Sequence, residues 1–417
     1  VKLIAFKENS KTFNYSGHAL ADRYHSHVGE DDATVGQFLL DALSLAQKFK
    51  LDPLINMPML RLSNGQLMRT RLAKALVFSD AARAKFLILD EPFMGLDVAT
   101  RSDLATILGE IARDPHAPNL MLLLRSQDTL PDWISHVLEL NHMDVTFQGT
   151  MQEYTSRRHR TQEESVNQKR VNRQTPQTGK SLAALKSVTV QAVDGVKVLD
   201  QIDWTIKEGE RWGLTGANGS GKTTLLSILV GDHPQAYSND VNLFGHQRGT
   251  PGVTIWDIKA QIGFVSPEMH FHFTTKVQSG LIKGPSVVSL FDAVATGFNG
   301  GDRACTPATE FQSGLINNLL HDFKLWEHRD EPFLSLSTGT QRMALILRAL
   351  VSERPLLIFD EPFQGVDEDG VAQVHAWLEK HLRPEQALVL VSHHSEEMPS
   401  VVNKRLELNG GKIVRCE

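Results

Sequence analysis

One pattern occurs twice in this chain of 417 residues. Phe86-Leu87-Ile88-Leu89-Asp90-Glu91-Pro92-Phe93-Met94-Gly95-Leu96-Asp97 and Leu357-Ile358-Phe359-Asp360-Glu361-Pro362-Phe363-Gln364-Gly365-Val366-Asp367 are apolar runs that end in two carboxylates and a proline. Upstream of each stands a small-residue turn, Leu62-Ser63-Asn64-Gly65-Gln66 in the first and Leu336-Ser337-Thr338-Gly339-Thr340-Gln341 in the second. Each turn leads into an apolar-periodic helix with arginines, Met68 to Val77 and Met343 to Val351. The serines are 274 residues apart and the aspartates 270, so the first copy carries four extra residues, in the Phe78 to Lys85 stretch. Such self-similarity constrains the chain more than any single motif, because it demands two copies of one domain. A length prior of two to three domains agrees.

Strand-like runs alternate with helical patterns in both halves. Leu87–Asp90, Met121–Leu124, Trp212–Thr215, Gly263–Val265, Leu356–Asp360 and Leu388–Val391 read as buried strands with helices between them. That alternation predicts an α/β fold, a mostly parallel sheet with crossover helices in each copy. Between the copies, residues 151–180 lose their large apolar side chains. They carry Arg157, Arg158, Arg160, Lys169, Arg170, Arg173 and Lys180 against Glu153, Glu163 and Glu164. This reads as a solvated, partly helical tether. The expected organisation is a first domain over 1–150, a linker over 151–180 and a second domain over 181–417.

Bulk properties exclude several classes. Lys plus Arg is 43 and Asp plus Glu is 49, a net charge of -6, which argues against coating nucleic acid by charge alone. A hydrophobic fraction of 41% rules out wholesale disorder. No apolar run approaches the roughly 20 residues of a spanning helix. Two cysteines, Cys305 and Cys416, are too few for a disulfide framework and fit a reducing cytosol. The first residue is Val1, with no secretory segment after it, so the numbering is expected to start inside a longer chain.

The phosphate site lies in the second half. Gly216-Ala217-Asn218-Gly219-Ser220-Gly221-Lys222-Thr223 matches G-x-x-x-x-G-K-[ST] at every position, and Thr224 follows. An apolar strand precedes it and a helical run, Thr223 to Val230, follows, as the chemistry requires. Glycines let successive N–H groups turn inward on a phosphate chain, and the helix N-terminus adds its positive end. Lys222 is expected to reach the β- and γ-phosphates of ATP, and the Thr223 hydroxyl to ligate Mg²⁺. Asp360 and Glu361 end a strand, where the first carboxylate can hold Mg²⁺ and the second can take a proton from water. His393 follows the strand Leu388–Val391, where an imidazole can sense a γ-phosphate.

Taken in order, the phosphate loop, Leu-Ser-x-Gly turn, Asp-Glu-Pro strand end, Gly-x-Asp loop and Ser-His pair resemble ATP-binding-cassette (ABC) nucleotide-binding domains. The resemblance covers essentially the whole chain outside the linker. Gly231-Asp232-His233-Pro234-Gln235-Ala236-Tyr237-Ser238-Asn239-Asp240, with Leu243-Phe244-Gly245 and Thr254-Ile255-Trp256-Asp257-Ile258-Lys259, is similar to the tandem ModF type (also called PhrA), which is linked to molybdate transport. The family implies two domains meeting head to tail, each with a helical subdomain. Each ATP then lies between the phosphate loop of one and the serine turn of the other. It implies one composite site here: the phosphate loop, Asp360, Glu361 and His393, closed by Ser63, Gly65 and Gln66. It also implies a membrane permease subunit as partner, and a cytoplasmic chain peripheral at the inner face of the plasma membrane. Two other readings stay open at this point, a soluble ATP-driven factor on ribosome or nucleic acid, and a non-hydrolysing nucleotide sensor.

Departures from the family pattern sharpen the expectations. The first half has no phosphate loop, and the repeat offset places its lysine before Val1, so that half is expected to be incomplete. A site pairing Asp90, Glu91, Ser337 and Gly339 should then be inert. Aligning the halves puts Arg125 or Gln127 where the second has His393. The family's loop glutamine is missing near Ser266-Pro267-Glu268, where Glu268 or Ser266 is the expected substitute. The ring that stacks on adenine falls near Ala192, which weakens base binding by about 1–3 kcal/mol. Tyr24-His25-Ser26-His27 and His270-Phe271-His272 lack metal-site spacing. Gly280 to Gly301 reads as a flexible loop, although the family places its helical subdomain there.

Overall fold

The structure, a computed structural model, describes residues 2–5, 34–40, 43–59, 62, 66–74, 86–93, 96, 98–115, 117–124, 128–141, 144–162, 179–192, 195–282, 287–299, 307–392 and 397–417. Its described residues fall into two compact units, one ending at 162 and the other beginning at 179.

The N-terminal unit contains a parallel sheet of β1 (Lys2–Ala5), β2 (Phe86–Asp90) and β3 (Asn119–Leu123). Helix α1 (Val98–Arg113) buries Leu104, Ile107, Leu108 and Ile111. An antiparallel hairpin, β4 (His136–Asn141) and β5 (Asp144–Thr150), forms a separate sheet. Helix α2 (Met151–Gln162) begins where the tether was expected and rests on that hairpin, Tyr154 against Phe147 at 5.3 Å between ring centroids. Arg157 adds to that contact, its Nη1 donating to the Thr146 carbonyl at 2.9 Å.

In the C-terminal unit, an antiparallel sheet runs in the order β10-β9-β6-β7, from β6 (Ser181–Gln191), β7 (Lys197–Lys207), β9 (Asp240–Leu243) and β10 (His246–Gln247). The central sheet has the order β11-β12-β13-β8-β14-β15, from β8 (Arg211–Gly216), β11 (Ile262–Val265), β12 (Leu356–Asp360), β13 (Ala387–Val391), β14 (Lys404–Asn409) and β15 (Lys412–Cys416). All its pairings are parallel except the edge β14–β15. β12 and β13 are buried at every residue, as strands covered on both faces must be. Alternate side chains divide between two cores: Leu356 and Ile358 meet helix α3 (Lys222–Leu229) and the antiparallel sheet, while Leu357 and Phe359 meet the helical side.

That helical side is built from α4 (Pro267–Gln278), α5 (Leu290–Ala295), α6 (Glu310–Asp322), α7 (Thr338–Leu350) and α8 (Glu368–His381). α5 corrects the loop expected over Gly280–Gly301 within its described part. Ser289 and Asp292 form a capping box, and Leu290, Ala293, Val294 and Ala295 are buried. The apolar periodicity outweighs the glycines around it. The expected strand runs all recur as strands, with ends shifted by one or two residues where they shift at all.

The two units repeat one plan. β1-β2-β3 corresponds to β11-β12-β13, and the hairpin β4–β5 to β14–β15, but among the described residues no strand of the N-terminal unit stands in the place of β8. Leu138 and Leu140 are 48% and 65% exposed, whereas Leu406 and Leu408 are 0% and 1% exposed.

Candidate functional site

β8 ends in Thr215-Gly216 and turns into a loop that no β-branched sequence could follow. Gly216, Gly219 and Gly221 have φ of 146°, 78° and 99°. A Cβ on Gly216 would lie 2.3 Å from the Leu408 carbonyl oxygen, and one on Gly221 2.8 Å from that of Val198. The loop is braced by neighbouring strands, with Gly411 N–H donating to the Ser220 carbonyl at 3.2 Å. Gly221 caps α3, leaving the first N–H groups of that helix facing the loop. Lys222 is buried, and its ammonium donates to the carbonyls of Gly216 at 2.7 Å and Ala217 at 2.9 Å. Thr223 and Ala217 are exposed, Asn218 is half-buried, and Ser220 and Thr224 are buried.

The acidic pair stands at the same edge of the sheet. Asp360 is in register with Val391, and Val391 with Leu214, so the carboxylate lies two strands from the phosphate loop, about 10 Å across. Burial pushes the Asp360 carboxyl well above its ordinary range; Glu268 and Glu361 add to that, and Lys222 opposes it. A buried acid crowded by two others is one that a divalent cation would relieve, so the residues fit Mg²⁺ held together with phosphate oxygens. Among the described residues no three His, Cys, Asp or Glu side chains converge as a ready-made metal site. His270, one of the histidines singled out in the sequence, has its Nε2 within 3.0 Å of Gln341 Oε1.

Glu361 has a left-handed backbone, φ 44°, which costs a non-glycine residue about 1 kcal/mol. Its N–H donates to the Val391 carbonyl at 3.0 Å, and Gln364 Nε2 donates to its carboxylate. Glu91 repeats the geometry, with φ 46° and its N–H on the Leu123 carbonyl at 3.0 Å. The two copies thus share one strained turn after the aspartate.

Of the two candidates for the missing glutamine, Ser266 spends its hydroxyl accepting the Met269 N–H at 3.0 Å as the cap of α4. Glu268 is the residue whose charge is felt at Asp360. Ser337 caps α7, its Oγ accepting the Thr340 N–H at 3.1 Å, and Gly339 lies against Gly365, where a Cβ would come within 2.7 Å of the carbonyl. Gln66 opens helical backbone over 66–74. Ser63, Gly65, His393, Arg125, Gln127, the Tyr24–His27 cluster and Cys305 lie outside the described residues. Sequence reasoning missed Arg342, which is 3% exposed. An arginine on the most buried stripe of α7 was the available signal.

A family profile described as ABC transporter matches residues 199–364. The ABC transporter ATP-binding protein C323.04 of Schizosaccharomyces pombe is 38% identical over 408 residues, 94% of this chain and 80% of the relative. The chain belongs to the ATP-binding-cassette family. ModF of Escherichia coli, an ABC transporter ATP-binding protein, is 34% identical over 91% of this chain and 78% of its own length, which bears out the ModF-type resemblance. An archaeal ribosome recycling factor, aABCE1, solved with the ribosomal stalk protein aP1, matches at a TM-score of 0.55 and 18% identity over 98% of this chain and 72% of that one. That likeness is one of fold. The ABC membership makes this chain an ATP-binding protein and an ATPase. No helix among the described residues is long and apolar enough to cross a membrane.

Proposed function

We propose that the chain binds Mg²⁺-ATP at the phosphate loop of its C-terminal unit and hydrolyses it as the ATP-binding component of a molybdate-type transporter. The observation that carries this reading is the convergence of Lys222, Asp360 and Glu361 at the carboxyl ends of neighbouring parallel strands, the usual ligand position in open α/β sheets. The backbone from Gly216 to Thr224 cradles the phosphates. Lys222 leaves its two loop carbonyls for the β- and γ-phosphate oxygens. Thr223 and Asp360 are the residues that would hold Mg²⁺, and the ion would supply charge neutralisation for phosphoryl transfer. Glu361 accepts the proton of the attacking water, and His393 steadies the γ-phosphate. Ser63, Gly65 and Gln66 close the nucleotide from the opposite side, within one chain or between copies. The chain is read as a partial first cassette (1–150), a linker (151–180) and a complete second cassette (181–417).

The relative ModF, an ABC transporter ATP-binding protein, supports the transporter assignment; the molybdate-type cargo, a membrane permease as partner and a cytoplasmic, membrane-peripheral location belong to the same proposal. The test is the ATPase rate of the chain and of Glu361→Gln. Loss of the base is expected to lower kcat by about 10²–10⁴-fold with ATP binding retained. Equal rates would overturn the assignment. Recovery of the chain with a membrane fraction supports the permease partner, and recovery only without one counts against it.

A further inference from the structure

The C-terminal unit holds a buried cation for which the mechanism above has no use. Arg342 lies in the second turn of α7, the helix begun by Ser337. Its Nη1 donates to the Ser266 carbonyl at 2.9 Å, and its Nε has no hydrogen-bond partner. Burial brings its pKa down to about 10, and the charges of Glu268 and Glu361 oppose that fall. A guanidinium taken out of water needs facing anions, and one carbonyl does not replace its hydration. The Ser266 carbonyl that it holds belongs to the same first turn as Glu268, the carboxylate standing where the family has its glutamine, and Glu361 is the other anion whose charge reaches the guanidinium.

The surrounding contacts tie two helices together. Gln341 meets His270 at 3.0 Å and donates to the Leu336 carbonyl at 3.0 Å. Arg348 donates to Met269 Sδ at 3.1 Å and to Thr296 Oγ1 at 2.9 Å. α4, which carries Glu268, and α7, which carries the serine turn, are therefore joined by a polar seam inside an apolar core.

We propose that Arg342 is a positioning residue for hydrolysis, holding the Ser266–Glu268 turn and Glu361 as one set that moves with α7. This rests on Glu361 being the base. Without the guanidinium, Glu268 and Glu361 lose the cation whose charge reaches both, and their repulsion turns Glu361 from the line of attack. The phosphate loop is not touched, so binding stays while the chemical step slows.

The experiment uses the full chain and measures kcat, KM for ATP and nucleotide affinity. Arg342→Met, which keeps length and loses charge, is expected to lower kcat about tenfold or more with KM within about twofold. Arg342→Lys should keep most of the rate. In a Glu268→Gln background the cost of Arg342→Met should shrink, because the repulsion it uncovers is gone. An unchanged kcat, an equal fold loss in both backgrounds, or joint loss of kcat and nucleotide affinity would overturn the proposal. Should Arg342→Met fail to fold, the same cycle is run with Arg342→Gln, which also loses the charge and whose deficit must likewise shrink in Glu268→Gln. A Glu361→Gln chain that works at full rate sinks the assigned base itself. A rate that depends on Glu361 but not on Arg342 sinks this inference alone.

Discussion

At Gly221 the choice of residue is dictated by space and by backbone at once. Its φ is 99°, and an added Cβ would meet Leu199 Cδ2 at 2.7 Å and the Val198 carbonyl oxygen at 2.8 Å. Gly221→Ala should destabilise the C-terminal unit by about 1–3 kcal/mol and abolish nucleotide binding, measured by urea unfolding and nucleotide titration. A buried histidine, His233, and a half-buried one, His375, predict a pH dependence. Burial lowers the pKa of His233, and of His375 against the opposing Glu397 carbonyl and Glu379 charge. A histidine whose folded pKa is depressed favours folding above its unfolded value of about 6.5, and that contribution is lost as pH falls below it. Stability should therefore drop between about pH 7 and 5, and His233→Asn, which keeps an acceptor for the Gln235 N–H, should flatten the drop in urea midpoints. At this scale the phosphate loop was fully legible, because its glycines, lysine and threonine are required by chemistry at fixed spacing. Arg342 was not, since a single arginine in a helix looks the same in sequence whether it faces water or two carboxylates.

Helices and strands were legible in proportion to how simply their burial is patterned. β12 matches its expected span, Leu356–Asp360, because a strand covered on both faces is an unbroken apolar run. The antiparallel sheet of β6, β7, β9 and β10 escaped notice. β7 alternates cleanly only from Gln201 to Lys207, β6 is interrupted by the exposed Lys186 and Ser187, and the register between them slips repeatedly. α5 was hidden by the glycines around it, although Ser289 and Asp292 at the right spacing announce a helix start. If that box holds α5, Ser289→Ala should cost about 1 kcal/mol in thermal or urea unfolding. An unchanged midpoint would return the segment to a loop. α7 carries more weight: Leu345 is fully buried in the helical-side core, so Leu345→Ala should cost about 2–5 kcal/mol.

Across the whole molecule, the two units follow one plan. Both present a strained glutamate after a strand-end aspartate, yet the phosphate loop belongs to the C-terminal unit alone among the described residues. The repeat in the sequence made this asymmetry readable. The exposed apolar residues Leu138 and Leu140 give its physical counterpart. If one composite site does the work, the serine turns cannot be equivalent: Ser63 should serve the nucleotide held by Lys222, and Ser337 should serve none. The direct measurement is the steady-state ATPase rate of Ser63→Ala and Ser337→Ala, each against the parent chain. Ser63→Ala is expected to lose about tenfold, the worth of a hydrogen bond to a charged group, while Ser337→Ala keeps its rate and loses only about 1 kcal/mol of helix capping. Equal rates for Ser63→Ala and the parent, or a loss confined to Ser337→Ala, would contradict the account.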